Sequence, residues 1–162
     1  MEFDVSLTEQ DMIRFNLYHT YSKFVTWFAT ILGVFAFFVA VWSWKRVPGT
    51  LTVLYIVVGV FILLYVPFNT LLSAKHRIRI TPEVLEPLHY RVDENGITVS
   101  KDGESGDLPW EKVYRAVGTK MAIYIYSSRI FAYVIPLHAL EGKESDLKAL
   151  LKEHLEPKRV KL

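Results

Sequence analysis

The chain contains no cysteine among its 162 residues. This absence excludes disulfide bonds, thiolate zinc sites and cysteine nucleophiles. The chain also has little excess charge of either sign, since its formal net charge is only +2. A balance so close to neutral does not indicate a nucleic-acid partner, and we expect none.

The short motifs that mark common active sites are missing as well. The sequence has no Gly-x-Ser-x-Gly elbow, no phosphate-binding P-loop and no dinucleotide fingerprint. Its 5 histidines lie in separate segments, without the spacing of a zinc-binding helix. We therefore expect no catalytic residues, no metal, no cofactor and no enzymatic activity.

Charge is absent from two long stretches, and this absence is the most informative one. Residues 25–44 and 51–74 contain no Asp, Glu, Lys, Arg or His. A bilayer core is crossed by roughly 20 apolar helical residues, and a backbone in lipid must satisfy its own hydrogen bonds. The two runs, joined by residues 45–50, predict a transmembrane helical hairpin that brings both chain ends to the same side.

Basic residues near the two runs predict the orientation of the hairpin. Those outside the link are Arg14, Lys23, Lys75, Arg77 and Arg79. The link contributes only Lys45 and Arg46. Because basic loops favour the cytoplasmic side, we expect a multi-pass protein of the inner cell membrane with both termini in the cytoplasm.

The cluster after the second run, Lys75, Arg77 and Arg79, has a further predicted role. Basic residues at this position attract anionic lipid headgroups by about 1 kcal/mol per charge. These three side chains are candidate headgroup contacts, and the alternative is that they only fix the topology.

Small residues predict how the two membrane helices pack. They recur at helical spacing along the first run, at Ala29, Gly33, Ala36 and Ala40, and such a stripe lets another helix approach closely. Counted outward from the turn, Gly59 is level with Ala36, and Asn69 is level with Thr26. We expect Gly59 to meet the stripe and Asn69 to hydrogen-bond to Thr26 or Thr30.

The N-terminal segment, residues 1–24, combines a strand and a helix. Phe3, Val5 and Leu7 alternate with polar residues, which is typical of a half-buried strand. Thr8 is a suitable N-cap for the amphipathic helix that follows. We expect this helix to continue into the membrane.

Residues 75–157 predict a small cytoplasmic domain of antiparallel strands closed by a helix. The helix is marked by leucines at one face, from Leu147 to Leu155. The predicted strands are residues 88–92, 97–100, 113–117, 122–126 and 130–135, with a polar loop at residues 102–106. Together with the hairpin, this is an α+β membrane protein with a small sheet or partial barrel. Residues 158–162 are expected to form a disordered basic tail.

The strands at residues 122–126 and 130–135 are apolar on both faces. Aromatic residues alternate along them, at Tyr124, Tyr126, Phe131 and Tyr133, and are expected to pair across the strands. One face is needed for the core, so the other is a candidate contact for a protein partner or a second copy. Trp110 is interpreted either as a ligand-pocket residue or as a core anchor.

The order of these segments resembles the YcxB-like family of small bacterial membrane proteins. The similarity rests on the segments at residues 88–92, 94–97, 108–113 and 126–137, which follow two membrane helices and precede a last helix. The resemblance implies a C-terminal domain like the bacterial pleckstrin-homology-like domains, and it implies no known activity. The two loops that would correspond to a phosphoinositide site, residues 93–96 and 101–107, are mostly acidic, which disfavours that ligand.

The sequence therefore favours a binding or scaffold domain held at the inner leaflet. Two alternatives stay open. One is a subunit of an oligomeric transporter, because two helices cannot enclose a pore alone. The other is a small membrane-surface enzyme, which requires that several basic side chains converge on one pocket: Arg77, Arg79, His89, Arg91 and Arg115.

Overall fold

The structure is a computed structural model that describes residues 1–44 and 46–162. The predicted contribution of Lys45 to the orientation lies outside the described residues. The chain divides into two compact units. We call residues 1–12 and 81–162 the sheet unit, and residues 13–80 the helix unit. Two long apolar helices, antiparallel sheets and a C-terminal helix confirm the α+β class.

The first sheet of the sheet unit has four antiparallel strands in the order β1-β2-β3-β4. They are β1 (Glu2–Val5), β2 (Leu88–Asp93), β3 (Gly96–Lys101) and β4 (Glu104–Pro109). Phe3 of β1 pairs with Tyr90 of β2, and their rings stack with centres 5.6 Å apart. The N-terminal strand predicted within residues 1–24 is therefore part of the sheet formed by the C-terminal half of the chain.

The predicted polar loop at residues 102–106 is wrong. Only Asp102 and Gly103 form the turn, with φ values of 47° and 87°, and the chain then continues as β4. Positive φ at both central residues matches the two-residue turn that suits twisted antiparallel strands. The first four residues of β4 are exposed, so they show no apolar alternation by which the strand is recognised.

The second sheet has the order β7-β6-β5-β8. Its strands are β5 (Arg115–Gly118), β6 (Ala122–Tyr126), β7 (Ala132–Pro136) and β8 (Val160–Lys161). β8 runs parallel to β5, with Val160 opposite Ala116. The prediction of a disordered tail at residues 158–162 is wrong, because β8 pairs with β5 and satisfies hydrogen-bonding groups that β5 would otherwise expose as an edge strand.

The core of the sheet unit contains side chains from both sheets and from α4 (Glu144–His154). Leu147 and Leu151 of α4 are fully buried, which confirms the predicted apolar face. Trp110 is also buried, and its Nε1 donates a hydrogen bond of 3.0 Å to the carbonyl of Asp93. The ring of Trp110 stacks on His154. Trp110 is thus a core anchor.

The remaining helices are α1 (Glu9–Tyr21), α2 (Phe24–Trp42) and α3 (Gly49–Ile80). Thr8 caps α1 as predicted: its Oγ1 accepts from the Asp11 N–H at 3.2 Å, and the Asp11 carboxylate accepts from the Thr8 N–H at 3.0 Å. The expected continuation of α1 into the apolar run is wrong, because residues 22–23 separate α1 from α2.

Glycine allows α2 and α3 of the helix unit to pack closely. A methyl group at Gly59 would lie 2.9 Å from the Phe37 ring and 3.1 Å from the carbonyl oxygen of Gly33. Gly33 and Ala40 are buried, while Ala29 and Ala36 are half-buried. The expected close contact along the small-residue stripe is present.

The predicted hydrogen bond from Asn69 is wrong. Asn69 is exposed, and the neighbouring Thr70 is the buried polar residue. Thr70 lies three helical turns from Gly59, on the same face, and its hydroxyl donates to the carbonyl of Val66 at 2.8 Å. The hydroxyl of Thr30 likewise bonds within its own helix, to the carbonyl of Thr26.

Both α2 and α3 are long and apolar enough to cross a bilayer. Only 17% of the apolar window of α2 and 11% of that of α3 is buried inside the structure. α3 continues through Pro67 and extends to Ile80, six residues beyond the predicted end at Ala74. Lys75, Arg77 and Arg79 therefore lie on its last turns, where a positive charge interacts favourably with the helix dipole.

Candidate functional site: a basic cleft beside the second sheet

A cleft of about 510 Å³ lies beside β5 in the sheet unit. Most of its ionisable lining residues are cations: Lys112, Arg115, Lys158, Arg159 and Lys161. The carboxylate of Glu111 is the acid that lines it. We call this feature the basic cleft.

Two distant segments of the chain form the basic cleft. Lys112 ends the short 3-10 turn Trp110–Lys112, and Arg115 begins β5. On the other side, Lys158 and Arg159 lie in the 3-10 turn Pro157–Arg159, and Lys161 lies in β8. The parallel pairing of β8 with β5 brings these two groups of cations together.

Arg115 has the most constrained position in the cleft. Its guanidinium carbon lies 4.3 Å from the centre of the Tyr126 ring, in a cation–π arrangement. Its Nε is buried and has no hydrogen-bond partner among residues 1–44 and 46–162. The ring limits the positions open to the guanidinium, which is the group that binds carboxylate and phosphate oxygens in a bidentate manner.

The other cations are compensated unevenly. Arg159 Nη1 donates to the Val113 carbonyl at 3.3 Å, and Lys158 Nζ lies 3.5 Å from the Glu156 carboxylate. Within the described part of the chain, Lys112 and Lys161 form no ion pair. A concave surface with uncompensated positive charge concentrates anions. The cleft is therefore suited to bind an anion.

The turn between β6 and β7 adjoins the basic cleft. Ser127 lines the cleft, and the N–H groups of Ser127 and Ser128 donate to the carbonyl of Phe131 at 3.1 and 3.3 Å. The Ser128 hydroxyl accepts from the N–H groups of Ile130 and Phe131. Ile130 and Phe131 are each 65% exposed, and we call this pair the apolar tip.

The four aromatic residues predicted to form one interaction surface are not on one face. Tyr124 and Tyr126 are 2% and 0% exposed. Tyr133 lies opposite Ile125, and its ring meets the buried Tyr90 edge-on. Of the four, Phe131 is the one whose side chain is mostly exposed.

The error has a simple geometric cause. In β6 and β7, Tyr124 pairs with Val134 and Tyr126 with Ala132. This register differs by one residue from the one needed to align Tyr124 and Tyr126 with Phe131 and Tyr133. A shift of one residue moves every side chain of a strand to the opposite face.

The basic residues that a surface enzyme would need have different partners. His89 lies 2.7 Å from the Asp4 carboxylate, and Arg91 lies 3.4 Å from that of Asp93. Both are on β2 of the first sheet, whereas Arg115 is on β5 of the second. Across residues 1–44 and 46–162, no group of three or more His, Cys, Asp or Glu residues is arranged to hold a metal.

A protein-family comparison identifies the central part of the sheet unit. The family model described as YcxB-like protein matches residues 92–152. This region is similar to that family. The match confirms the predicted resemblance there, from the end of β2 to near the end of α4. Comparisons with curated proteins and with solved structures gave no match.

The basic cleft is only partly inside the YcxB-like region. Lys112 and Arg115 lie within it, whereas Lys158, Arg159 and Lys161 follow it. The cleft therefore depends on β8 and the turn before it, which are outside the matched residues.

Proposed function

We propose that the chain is a multi-pass integral membrane protein that presents a small binding domain at the inner leaflet. In this proposal α2 and α3 are the anchor, and the sheet unit binds a phosphate-bearing anion in the basic cleft. The sheet unit is proposed to have a pleckstrin-homology-like fold. Two sheets around one core, antiparallel except for the β5–β8 pair and closed by α4, support that assignment together with the YcxB-like match.

The surface of α2 and α3 supports the role of anchor. Large apolar side chains such as Phe24, Phe38 and Phe61 are exposed along both helices. Contiguous apolar surface of this extent is unusual for a soluble protein, and lipid is the environment that satisfies it. Lys75, Arg77 and Arg79 on the last turns of α3 are the proposed headgroup contacts of the anchor.

The observation that carries the binding function is the charge of the basic cleft. Five cations and one carboxylate line it, and Arg115 is already oriented by Tyr126. Phosphate is the favoured anion because several donors converge and because guanidinium binds its oxygens in pairs. No observation on the described residues favours the transporter or the enzyme.

Single-cysteine labelling tests the topology, since the native chain has no cysteine. We expect Glu104→Cys, on the exposed part of β4, to resist membrane-impermeant maleimide in intact cells and to react after lysis. Thr50→Cys, in the first turn of α3 next to the link, is the matched control and should react from outside. Labelling of position 104 in intact cells would contradict the orientation.

Titration with inorganic pyrophosphate tests the cleft. The full chain in detergent is titrated by calorimetry in a chloride buffer. We expect Arg115→Gln combined with Lys161→Gln to weaken binding about tenfold or more, since each charge-assisted hydrogen bond contributes about 1.5–3 kcal/mol. Lys152→Gln, an exposed lysine of α4 outside the cleft, should change affinity less than about twofold. Equal affinities in all three proteins would refute the cleft as the binding site.

A further inference from the structure

We propose that the apolar tip and the basic cleft together form a lipid-docking surface. Ile130 and Phe131 enter the headgroup region of a bilayer, while the cleft binds the phosphate of an anionic phospholipid. The inference rests on the proposed anion binding in the cleft, and it names the source of that anion.

The apolar tip is held outward by its own turn. The carbonyl of Phe131 accepts two backbone hydrogen bonds, from Ser127 and Ser128, and the Ser128 hydroxyl accepts two more from the tip residues. Two large hydrophobic side chains are thus exposed on an ordered turn. Ordering before contact lowers the entropic cost of binding.

The tip and the cleft are continuous. Ser127 lines the cleft and donates its N–H to the carbonyl of Phe131 in the tip, and Arg115 pairs with Tyr126, the residue before Ser127. Tyr114, which is exposed, donates its N–H to the carbonyl of Tyr126 at 2.8 Å. Apolar, aromatic and basic side chains are therefore adjacent, which is the composition that favours a membrane interface.

Charge favours a bilayer as the occupant of this surface. Anionic lipids present phosphates at the same boundary where apolar side chains insert, and each nearby basic residue adds to the attraction. The proposed anchor also keeps the sheet unit close to lipid, so that a weak contact is sufficient at the high effective concentration of a tethered domain.

Fluorescence of a label on the tip provides the test. Ile130→Cys is labelled with an environment-sensitive dye in the full chain and placed in nanodiscs of phosphatidylcholine with or without phosphatidylglycerol. Met121→Cys is the matched control, because Met121 is 50% exposed and directly precedes β6, at the end of that strand away from the tip. We expect a blue shift and quenching by lipid-borne spin labels at position 130 with phosphatidylglycerol, and neither at position 121.

Two additions separate the sources of phosphate. Arg115→Gln should reduce the shift at position 130 to its value in phosphatidylcholine alone, and soluble pyrophosphate should reduce it by competition. If pyrophosphate binds the cleft but position 130 never responds to anionic lipid, the docking surface is refuted while anion binding stands. If pyrophosphate does not bind at all, the proposed anion binding in the basic cleft is itself refuted.

The remaining outcomes also decide the question. A shift at position 130 that appears only when several copies share one disc would identify a second copy as the occupant and would overturn lipid docking. An equal response at positions 121 and 130 would show non-specific contact with the disc and would overturn it as well.

Discussion

Arg115 and Tyr126 face each other across the β5–β6 pair, with the guanidinium carbon 4.3 Å from the centre of the ring. Tyr126 is fully buried, so its ring is a fixed platform. The platform orients the guanidinium at the wall of the basic cleft. The cleft is therefore expected to recognise the arrangement of the anion's oxygen atoms as well as its charge.

Arg115→Lys separates these two contributions. The substitution keeps the positive charge but removes the planar group that stacks on Tyr126. We expect pyrophosphate affinity to fall about twofold to fivefold, as expected for the loss of about 0.5–1 kcal/mol of cation–π energy. Lys112→Arg, an exposed residue of the same cleft, is the control and should bind as well as the native chain. Unchanged affinity in Arg115→Lys would mean that the cleft senses charge alone.

The pairing of β8 with β5 predicts resistance to proteolysis at the C-terminal segment. A side chain at Gly118 of β5 would meet the backbone of Leu162 at 3.1 Å. We expect Gly118→Val to loosen β8 and to accelerate trypsin cleavage after Arg159 about fivefold, as expected if local opening becomes easier by about 1 kcal/mol. The cleavage is followed by mass spectrometry of the full chain in detergent.

Gly106→Val is the matched control for that experiment. Gly106 lies in β4, and a Cβ atom there would meet no atom of the described residues within 4 Å. Its cleavage rate after Arg159 should equal that of the native chain. Fast cleavage in all three proteins would indicate that β8 is not stably paired.

Local pattern predicted strands rich in apolar residues and missed strands that are mostly polar or very short. The strands at residues 88–92 and 122–126 were predicted from their β-type residues and flanking turns, and both are present. β4 was missed because its first residues are exposed and polar. β8 was missed because it is short, charged and stabilised by pairing with the distant β5. The basic cleft depends on that pairing, so no local pattern predicts it.

Two other predictions, for Asn69 and for Tyr133, were wrong because a shift of one residue changes the side of a helix or strand on which a residue lies. Counting from the turn placed Asn69 at the right height along α3, but height does not determine which side of the helix a residue occupies. Thr70, and not Asn69, lies on the buried side of α3. In the same way, the length of the β6–β7 turn determines the face of Tyr133, and the turn length was not determined by strand pattern alone.

The contact between Gly33 and Gly59 predicts a stability difference between two glycine substitutions in α3. Gly59→Ala places a methyl group against the Phe37 ring and the Gly33 backbone, and overpacking of this kind costs about 1–3 kcal/mol. Gly49→Ala introduces a methyl group that has no atom of the described residues within 4 Å. In a titration with sodium dodecyl sulfate followed by circular dichroism, we expect only Gly59→Ala to lose helical structure at a lower detergent fraction. Equal midpoints would contradict close packing of α2 and α3.

Tyr90 predicts how the sheet unit responds to high pH. Its side chain is buried between Phe3 and Tyr133, and burial, with a smaller contribution from Tyr133, raises the pKa of its hydroxyl. The unfolded chain releases this proton near pH 10, whereas the folded chain retains it. The stabilising contribution is therefore complete below pH 10 and is lost progressively as the pH rises above it.

Tyr90→Phe removes the proton that is lost on unfolding. Between pH 10 and pH 11, we expect the variant's free energy of unfolding to fall less steeply than that of the native chain, by up to about 1.4 kcal/mol per pH unit. Pulse proteolysis in urea with an alkali-tolerant protease measures this slope for the sheet unit. Tyr114→Phe, at an exposed position, should keep the native slope, and an identical slope in Tyr90→Phe would show that Tyr90 ionises as readily in the folded chain as in the unfolded one.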